Sequence, residues 1–180
     1  GNGAMNLGLT HAKGIFIARM DADDIADPKR IAQQVSYLIT HTDTILVGTQ
    51  ATVINAQGKA IGTKSVPTHH EAIYRQYAFV HPMIHPSIMI RRTLLPNPNK
   101  LYTEIWGVND DYFTFFSLLR YGKFANLAEK LIKYRVHKHN SSLQSLKHHF
   151  STITRIRFAA VSKLNYRPPL GMFPIIAIQT

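Results

Sequence analysis

The run Ile15-Phe16-Ile17-Ala18-Arg19-Met20, followed at once by Asp21-Ala22-Asp23-Asp24, limits this chain more than any other feature. A short, nearly continuous apolar run has the length of a strand and falls short of a buried helix. Helical spacing stands on both sides of it. Met5, Leu9 and Ala12 share a face before it, with Gly14 as the stop, and Ile31, Val35, Leu38 and Ile39 form an apolar stripe after it. Asp27-Pro28 predicts the start of that second helix, a capping carboxylate with proline at the first helical position. Between helices, such a run predicts a strand buried in a parallel sheet. Helix, strand, acidic turn and helix together make an α/β signature.

The acidic turn falls at the carboxyl end of that strand, the edge of an open α/β sheet where ligands bind. Asp21, Asp23 and Asp24 repel one another there, which raises their pKa values unless a cation compensates. Mg²⁺ or Mn²⁺ suits an all-oxygen ligand set and keeps positions open for substrate phosphates. The alternative is a solvated turn, although Asp27 already supplies the helix cap.

Downstream, Thr44 to Lys64 predicts a hairpin around Asn55-Ala56-Gln57-Gly58, and Thr68 to Glu71 has the spacing of a capping box opening a helix through Tyr77. Ile84 to Arg91 reads as a strand that Pro86 confines to an edge or bulge. Asn109-Asp110-Asp111 opens a helix whose core face is Tyr112, Phe113, Phe116 and Leu119, ending at Gly122. Either carboxylate there can cap the helix, while the other points into a cleft as a general base. Lys123 to Leu127 and Leu131 to Val136 read as strands, and Leu143 to Leu164 as a long amphipathic helix. His81 and His85 flank the proline-containing strand, and His137 and His139 follow the last strand beside Arg135. No zinc spacing, phosphate loop or serine elbow occurs.

Composition narrows the partners. Lys and Arg exceed Asp and Glu for a formal charge of +11, yet the basic residues are scattered, so charge alone leaves diphosphates, lipid headgroups and nucleic acid open. The aromatics sit at helical core spacing instead of among clustered basic residues, which argues against nucleic acid. Absence of cysteine excludes disulfides and thiolate metal sites and is compatible with a reducing cytosol. The most apolar stretch, Leu170 to Ile178, is too short to span a membrane and contains Pro174.

Read together, the run Asn6 to Asp24 with Asp27-Pro28-Lys29-Arg30 and Gln34 resembles the family 2 inverting glycosyltransferases. Matches continue in the family's order at Val47-Gly48, Asn55 to Gly58, His85-Pro86-Ser87-Ile88-Met89-Ile90-Arg91, Asp110-Asp111-Tyr112 and Tyr134-Arg135-Val136-His137. The resemblance implies an α/β fold of GT-A type, Rossmann-like, with a mixed sheet flanked by helices. It also implies that the first βαβ unit, which binds the base, is missing, so that the chain alone has little or no transfer activity. Residues 1–142 would be the catalytic domain and residues 143–180 an amphipathic helix with an apolar tail.

By matching position, Asp21 and Asp23 form the DxD motif and, with Asp24, Arg135 and His85, the donor site. Asp23, Asp21 and His137 would hold a divalent metal, Mn²⁺ or Mg²⁺. Asp111 matches the catalytic base, and Asp110, standing where the family has Glu, is the other candidate. The implied reaction moves a sugar from a nucleotide-diphospho-sugar to a hydroxyl of a glycan or lipid-linked acceptor with inversion, in cell-surface polysaccharide or glycan synthesis. The implied location is cytoplasmic, with a peripheral contact at the inner face of the membrane through the basic, amphipathic tail as one reading and packing against the domain as the other. A truncated, inactive relic and a sugar nucleotidyltransferase of the same fold are the alternative functions.

Overall fold

The computed structural model describes residues 2–137 and 146–169. In chain order it contains α1 (Asn2–His11), β1 (Phe16–Ala18), β2 (Ile25–Ala26), α2 (Arg30–Thr40), β3 (Thr44–Ile54), β4 (Ala60–Lys64), α3 (His70–Gln76), β5 (Met89–Arg91), α4 (Asp110–Leu118), β6 (Lys123–Arg135) and α5 (Leu146–Leu164). His139 and the apolar stretch from Leu170 to Ile178 lie outside the described residues.

Two long strands organise the sheet. β3 and β6 run parallel, and β5, β1, β4 and β2 add antiparallel pairings around them in the order β1-β5-β3-β6-β2, with β4 beside the far half of β3. β3 is buried over most of its length because both sheet faces are covered. One face carries the main core, where Leu46, Ile90 and Phe124 meet Tyr77, Phe115 and Phe116. The other packs Val47, Met89 and Ala125 against Leu38 of α2. On α5, Ile156 and Ala160 join the main core, as does Tyr166 just past its end, so its apolar side lies against the domain. No helix among the described residues is long and apolar enough to cross a membrane.

Several expectations need correction. β1 is not a buried parallel strand: it is a half-exposed edge strand of three residues, antiparallel to β5. Its apolar run is longer than the ladder that β5 offers it, so Ile15 and Met20 stay exposed. The stretch from Ile84 is a 3₁₀ turn, His85–Ser87, before it becomes β5, because proline suits a helical first turn better than a ladder. α3 is capped at His69 with no side-chain bond, so Thr68 does not close a capping box. The two strands expected after Gly122 are one strand, β6, with irregular register where Gln50 spans the gap and donates to Leu127 O (2.9 Å) and Val66 O (3.2 Å). α2 begins at Arg30, two residues later than Pro28 suggests, although the Asp27 carboxylate does accept the Lys29 amide at 2.8 Å.

The largest departure is the buried face of α2. Ile31 and Ile39 are 50% and 62% exposed, and the buried stripe is Arg30, Gln34 and Leu38. Four-residue spacing puts these three on one face. Polar side chains are stable there only because each bond is made. Arg30 donates to Arg19 O (2.7 Å), Ile88 O (3.1 Å) and Gln34 Oε1 (3.0 Å). Gln34 donates to Val47 O (3.0 Å) and Ser87 O (2.8 Å). Burial lowers the Arg30 pKa to about 10, with the Arg19 charge adding to the effect, so the guanidinium stays protonated at neutral pH. This network fastens the exit of β1 and the His85–Ser87 turn to the helix.

A second close approach occurs between β3 and β6. Gly48 pairs with Asn126, whose side chain crosses the glycine and donates to Pro67 O (2.7 Å) and Pro82 O (3.1 Å). A Cβ at position 48 would stand 2.2 Å from Asn126 Oδ1.

Candidate active site

The acidic turn leaves β1 held from two sides. The Arg19 amide donates to Ile88 O at 3.0 Å, and the Arg19 guanidinium folds forward onto Asp21 in a bidentate pair of 2.7 and 2.5 Å. Asp21, Asp23 and Asp24 each bring a carboxylate oxygen within 4.8 Å of the others. Asp24 is 6% exposed; its Oδ1 accepts the Arg135 amide at 2.8 Å, and its buried Oδ2 accepts no hydrogen bond from the protein. Burial raises the Asp24 pKa, the neighbouring Asp23 and Asp21 charges raise it further, and the Arg135 amide and the Arg19 charge oppose them.

At the end of β6, His137 and Arg135 face this turn. His137 Nε2 lies 3.1 Å from Asp23 Oδ2. Arg135 donates through Nε to Asp23 O (2.7 Å) and through Nη1 to Asn55 O (3.0 Å) and Ala56 O (2.9 Å). The guanidinium thus clamps the acidic turn to the β3–β4 turn, a role its place among the donor-site candidates did not include. The oxygen-rich donor set, one imidazole and an unpartnered buried oxygen on Asp24 together fit a hard divalent cation.

The second acidic pair divides its work. Asp110 is 2% exposed and accepts from Trp106 N (2.7 Å), Ile105 N (3.1 Å), Thr103 Oγ1 (3.1 Å) and Asn2 Nδ2 (2.7 Å). It holds the loop before α4 and the start of α1. Asp111 is only partly buried; its Oδ1 accepts the Tyr112 amide at 2.8 Å. Its Oδ2 lies 3.4 Å from His85 Nδ1 and 3.6 Å from His81 Nε2. Burial lowers the pKa of both imidazoles, most strongly that of His85, where Arg19 and His81 add to the effect. For His81 the Asp111 charge pulls the other way and Lys64 reinforces the lowering.

Tyr102 stands beside the second cluster through His85 and had no signal in the sequence. Its hydroxyl lies 2.8 Å from His85 Nε2, and Asn6 of α1 fixes its backbone by accepting from Tyr102 N (2.9 Å) and donating to Tyr102 O (2.8 Å). Burial raises its pKa; Arg19 opposes the rise, and the charges of Asp111 and Asp21 both add to it. The available signal was Asn6, which belongs to the resembling run yet has no obvious partner in one dimension.

Comparison with known proteins identifies the family and the fold. The family described as glycosyl transferase family 2 matches residues 1–97, a stretch that contains the acidic turn and ends before Asp111. An uncharacterised glycosyltransferase of Haemophilus influenzae is 34% identical over 148 residues, covering 77% of this chain and 46% of that protein. The O-antigen biosynthesis glycosyltransferase WbnJ of Escherichia coli is 30% identical over 147 residues, covering 79% of this chain and 56% of WbnJ. The chain thus spans about half the length of the curated relatives it matches. Among solved structures, S. aureus TarS in complex with UDP superposes with a TM-score of 0.63 at 14% identity, over 95% of this chain and 47% of that one. A mannosyltransferase from Pyrobaculum calidifontis in complex with GDP-Man and Mn²⁺ gives a TM-score of 0.52 at 15% identity, over 99% of this chain and 58% of that one. These likenesses establish the α/β fold of GT-A type expected from the sequence, and with the family match they show that the chain belongs to glycosyl transferase family 2.

Proposed function

We propose that this chain carries the diphosphate-binding turn and the catalytic base of an inverting, metal-dependent glycosyltransferase that uses a nucleotide-diphospho-sugar in cell-surface glycan synthesis. The reading is supported by the short path from the acidic turn to Asp111: Arg19, paired with Asp21, donates its amide to Ile88 O next to the His85–Ser87 turn, and His85 Nδ1 stands 3.4 Å from the partly exposed Asp111 Oδ2. Inversion requires this layout, because the acceptor hydroxyl attacks from the side opposite the departing diphosphate. The complexes of TarS with UDP and of the Pyrobaculum enzyme with GDP-Man and Mn²⁺ support the donor class and a divalent ion. The O-antigen role in the name of WbnJ supports the process.

Asp111 is the base in this reading and Asp110 is not, because the Asp110 carboxylate already accepts four hydrogen bonds. Asp111 takes the proton of the acceptor hydroxyl as its oxygen bonds to the anomeric carbon. The bond from that carbon to the diphosphate breaks, and its electron pair leaves with the diphosphate. Asp23, Asp21 and His137 would hold the metal, with Asp24 closing the set. When bound, the cation neutralises charge on the diphosphate. Arg135 holds the turn in shape, and Arg30 with Gln34 fixes the strand end from which it springs.

The test uses this chain together with any coding sequence contiguous with it. Release of nucleoside diphosphate is measured across a panel of UDP- and GDP-sugars with Mn²⁺, for the unmodified protein and for Asp111→Asn and Asp23→Asn. Turnover that survives Asp111→Asn within a few-fold sinks the assignment of the base. A product retaining the donor's anomeric configuration by NMR sinks inversion.

A further inference from the structure

His81 lies four residues before His85, which opens the His85–Ser87 turn, and both aim a ring nitrogen at the same oxygen of Asp111. His85 Nδ1 stands 3.4 Å from Asp111 Oδ2 and His81 Nε2 stands 3.6 Å from it. His81 Nε2 is buried with no hydrogen-bond partner at this separation. Both distances are longer than settled hydrogen bonds, as is common at catalytic contacts before a substrate closes the site.

What each ring does at its other nitrogen decides which one carries the proton. The Met83 amide donates to His81 Nδ1 at 3.3 Å, so that nitrogen is an acceptor and the N–H is on Nε2, facing Asp111. On His85 the outer contact is the Tyr102 hydroxyl, 2.8 Å from Nε2. When that hydroxyl donates, His85 carries its N–H on Nδ1, again facing Asp111. Neither ring is easily charged: burial and the nearby Arg19 and Lys64 cations favour the neutral form. Aromatic walls close the arrangement, with Phe115 edge-on to both imidazoles at 5.3 and 5.4 Å.

We propose that His81 and His85 are paired positioning residues for Asp111, two neutral imidazoles whose N–H groups are turned onto Oδ2 by Met83 and Tyr102 and fix the orientation of the base. This rests on the reading of Asp111 given above and changes the place of His85, which serves the base instead of the donor. The pair supplies orientation without a net charge, so the carboxylate is held and still free to accept a proton. A lysine or arginine in either position would hold Asp111 as well and weaken it as a base.

Asparagine places an amide nitrogen near the position of a histidine Nδ1, and glutamine places one near Nε2, so the two histidines make opposite predictions. His85→Asn and His81→Gln keep a donor toward Asp111; His85→Gln and His81→Asn remove it. The first readout is the pH titration of the Asp111 side-chain carbon by ¹³C NMR in this chain, assigned with Asp111→Asn. Loss of a donor should move the Asp111 titration up in His85→Gln and His81→Asn, and by much less in the other two. The second readout is nucleoside diphosphate release, where the same two variants should lose about 10- to 100-fold in kcat with little change in the donor KM.

Equal effects of asparagine and glutamine at both positions overturn the proposal, as does an unshifted Asp111 titration in His85→Gln and His81→Asn. Should the variants of one histidine fail to fold, those of the other decide by the same crossed pattern. The titration does not depend on Asp111 being the base. A crossed titration pattern with full turnover in Asp111→Asn would retain the contacts and remove the assignment of the base, and the reverse pair of results would do the opposite.

Discussion

Replacing Gly48 with alanine tests how the two central strands position the catalytic loops. The added Cβ would lie 2.2 Å from Asn126 Oδ1, with Met83 Cε at 3.0 Å and Ser87 Oγ at 3.3 Å crowding the same space. Ordinary contact needs about 3.4 Å or more, so the Asn126 side chain must swing by over an ångström. That movement breaks its bonds to Pro67 O and Pro82 O, of 2.7 and 3.1 Å. Each lost bond with a stranded buried acceptor costs about 1–2 kcal/mol, giving about 2–4 kcal/mol for Gly48→Ala. Asn126→Ala alone loses the same two bonds and should cost a similar amount. In the double variant the 2.2 Å collision is gone and only the milder contacts with Met83 Cε and Ser87 Oγ remain, so the total should fall short of the sum by about 2 kcal/mol. Urea denaturation of the four proteins measures this. Additive effects, or a Gly48→Ala protein within about 0.5 kcal/mol of the original, would refute the reasoning. Because Pro82 lies between His81 and Met83, the same substitution should also disturb the pair of histidines around Asp111.

Three further outcomes are expected. Asp24→Asn should leave the metal-free protein as stable or more stable at neutral pH, because a carboxylate whose pKa is raised above 3.8 on folding costs stability once pH exceeds that value; the thermal shift given by Mn²⁺ should shrink in the same variant, as differential scanning fluorimetry would show. Asp110→Ala should destabilise the fold by about 3 kcal/mol or more through four abandoned donors, whereas Asp111→Asn should change stability little and lower turnover about 10²- to 10⁴-fold, a contrast read by denaturation and nucleotide-release assays side by side. Gln34→Leu should cost about 2–4 kcal/mol in urea denaturation, since the Arg30 Nε and two carbonyls lose their common partner.

The sequence disclosed the elements whose determinants are local. The acidic turn, the Asn55-to-Gly58 hairpin, the α4 start at Asp110 and the amphipathic α5 all appear where spacing and turn chemistry put them. What it concealed was set by partners far along the chain. Isoleucine at 31 and 39 looked like core because periodicity reports a face and cannot say whether that face is covered; the covered face belongs to Arg30 and Gln34, whose acceptors are near residues 19, 47 and 87. Likewise the division between Asp110 and Asp111 is set by a loop folded back onto Asp110 from Thr103, Ile105 and Trp106 and by Asn2, more than a hundred residues upstream. Tyr102 stayed invisible because its place depends on Asn6 and His85, partners that only the folded chain brings beside it.

The path of the chain between β1 and β2 has one more consequence. These strands end opposite sides of the sheet, and the chain runs from Ala18 to Ile25 to join them. The link is folded into a turn closed by the Asp24 amide on Asp21 O at 3.4 Å, so the acidic turn is the covalent bridge between the two margins. A cation settling among its carboxylates would stiffen that bridge, so bound ion should slow hydrogen exchange in both outer strands at once.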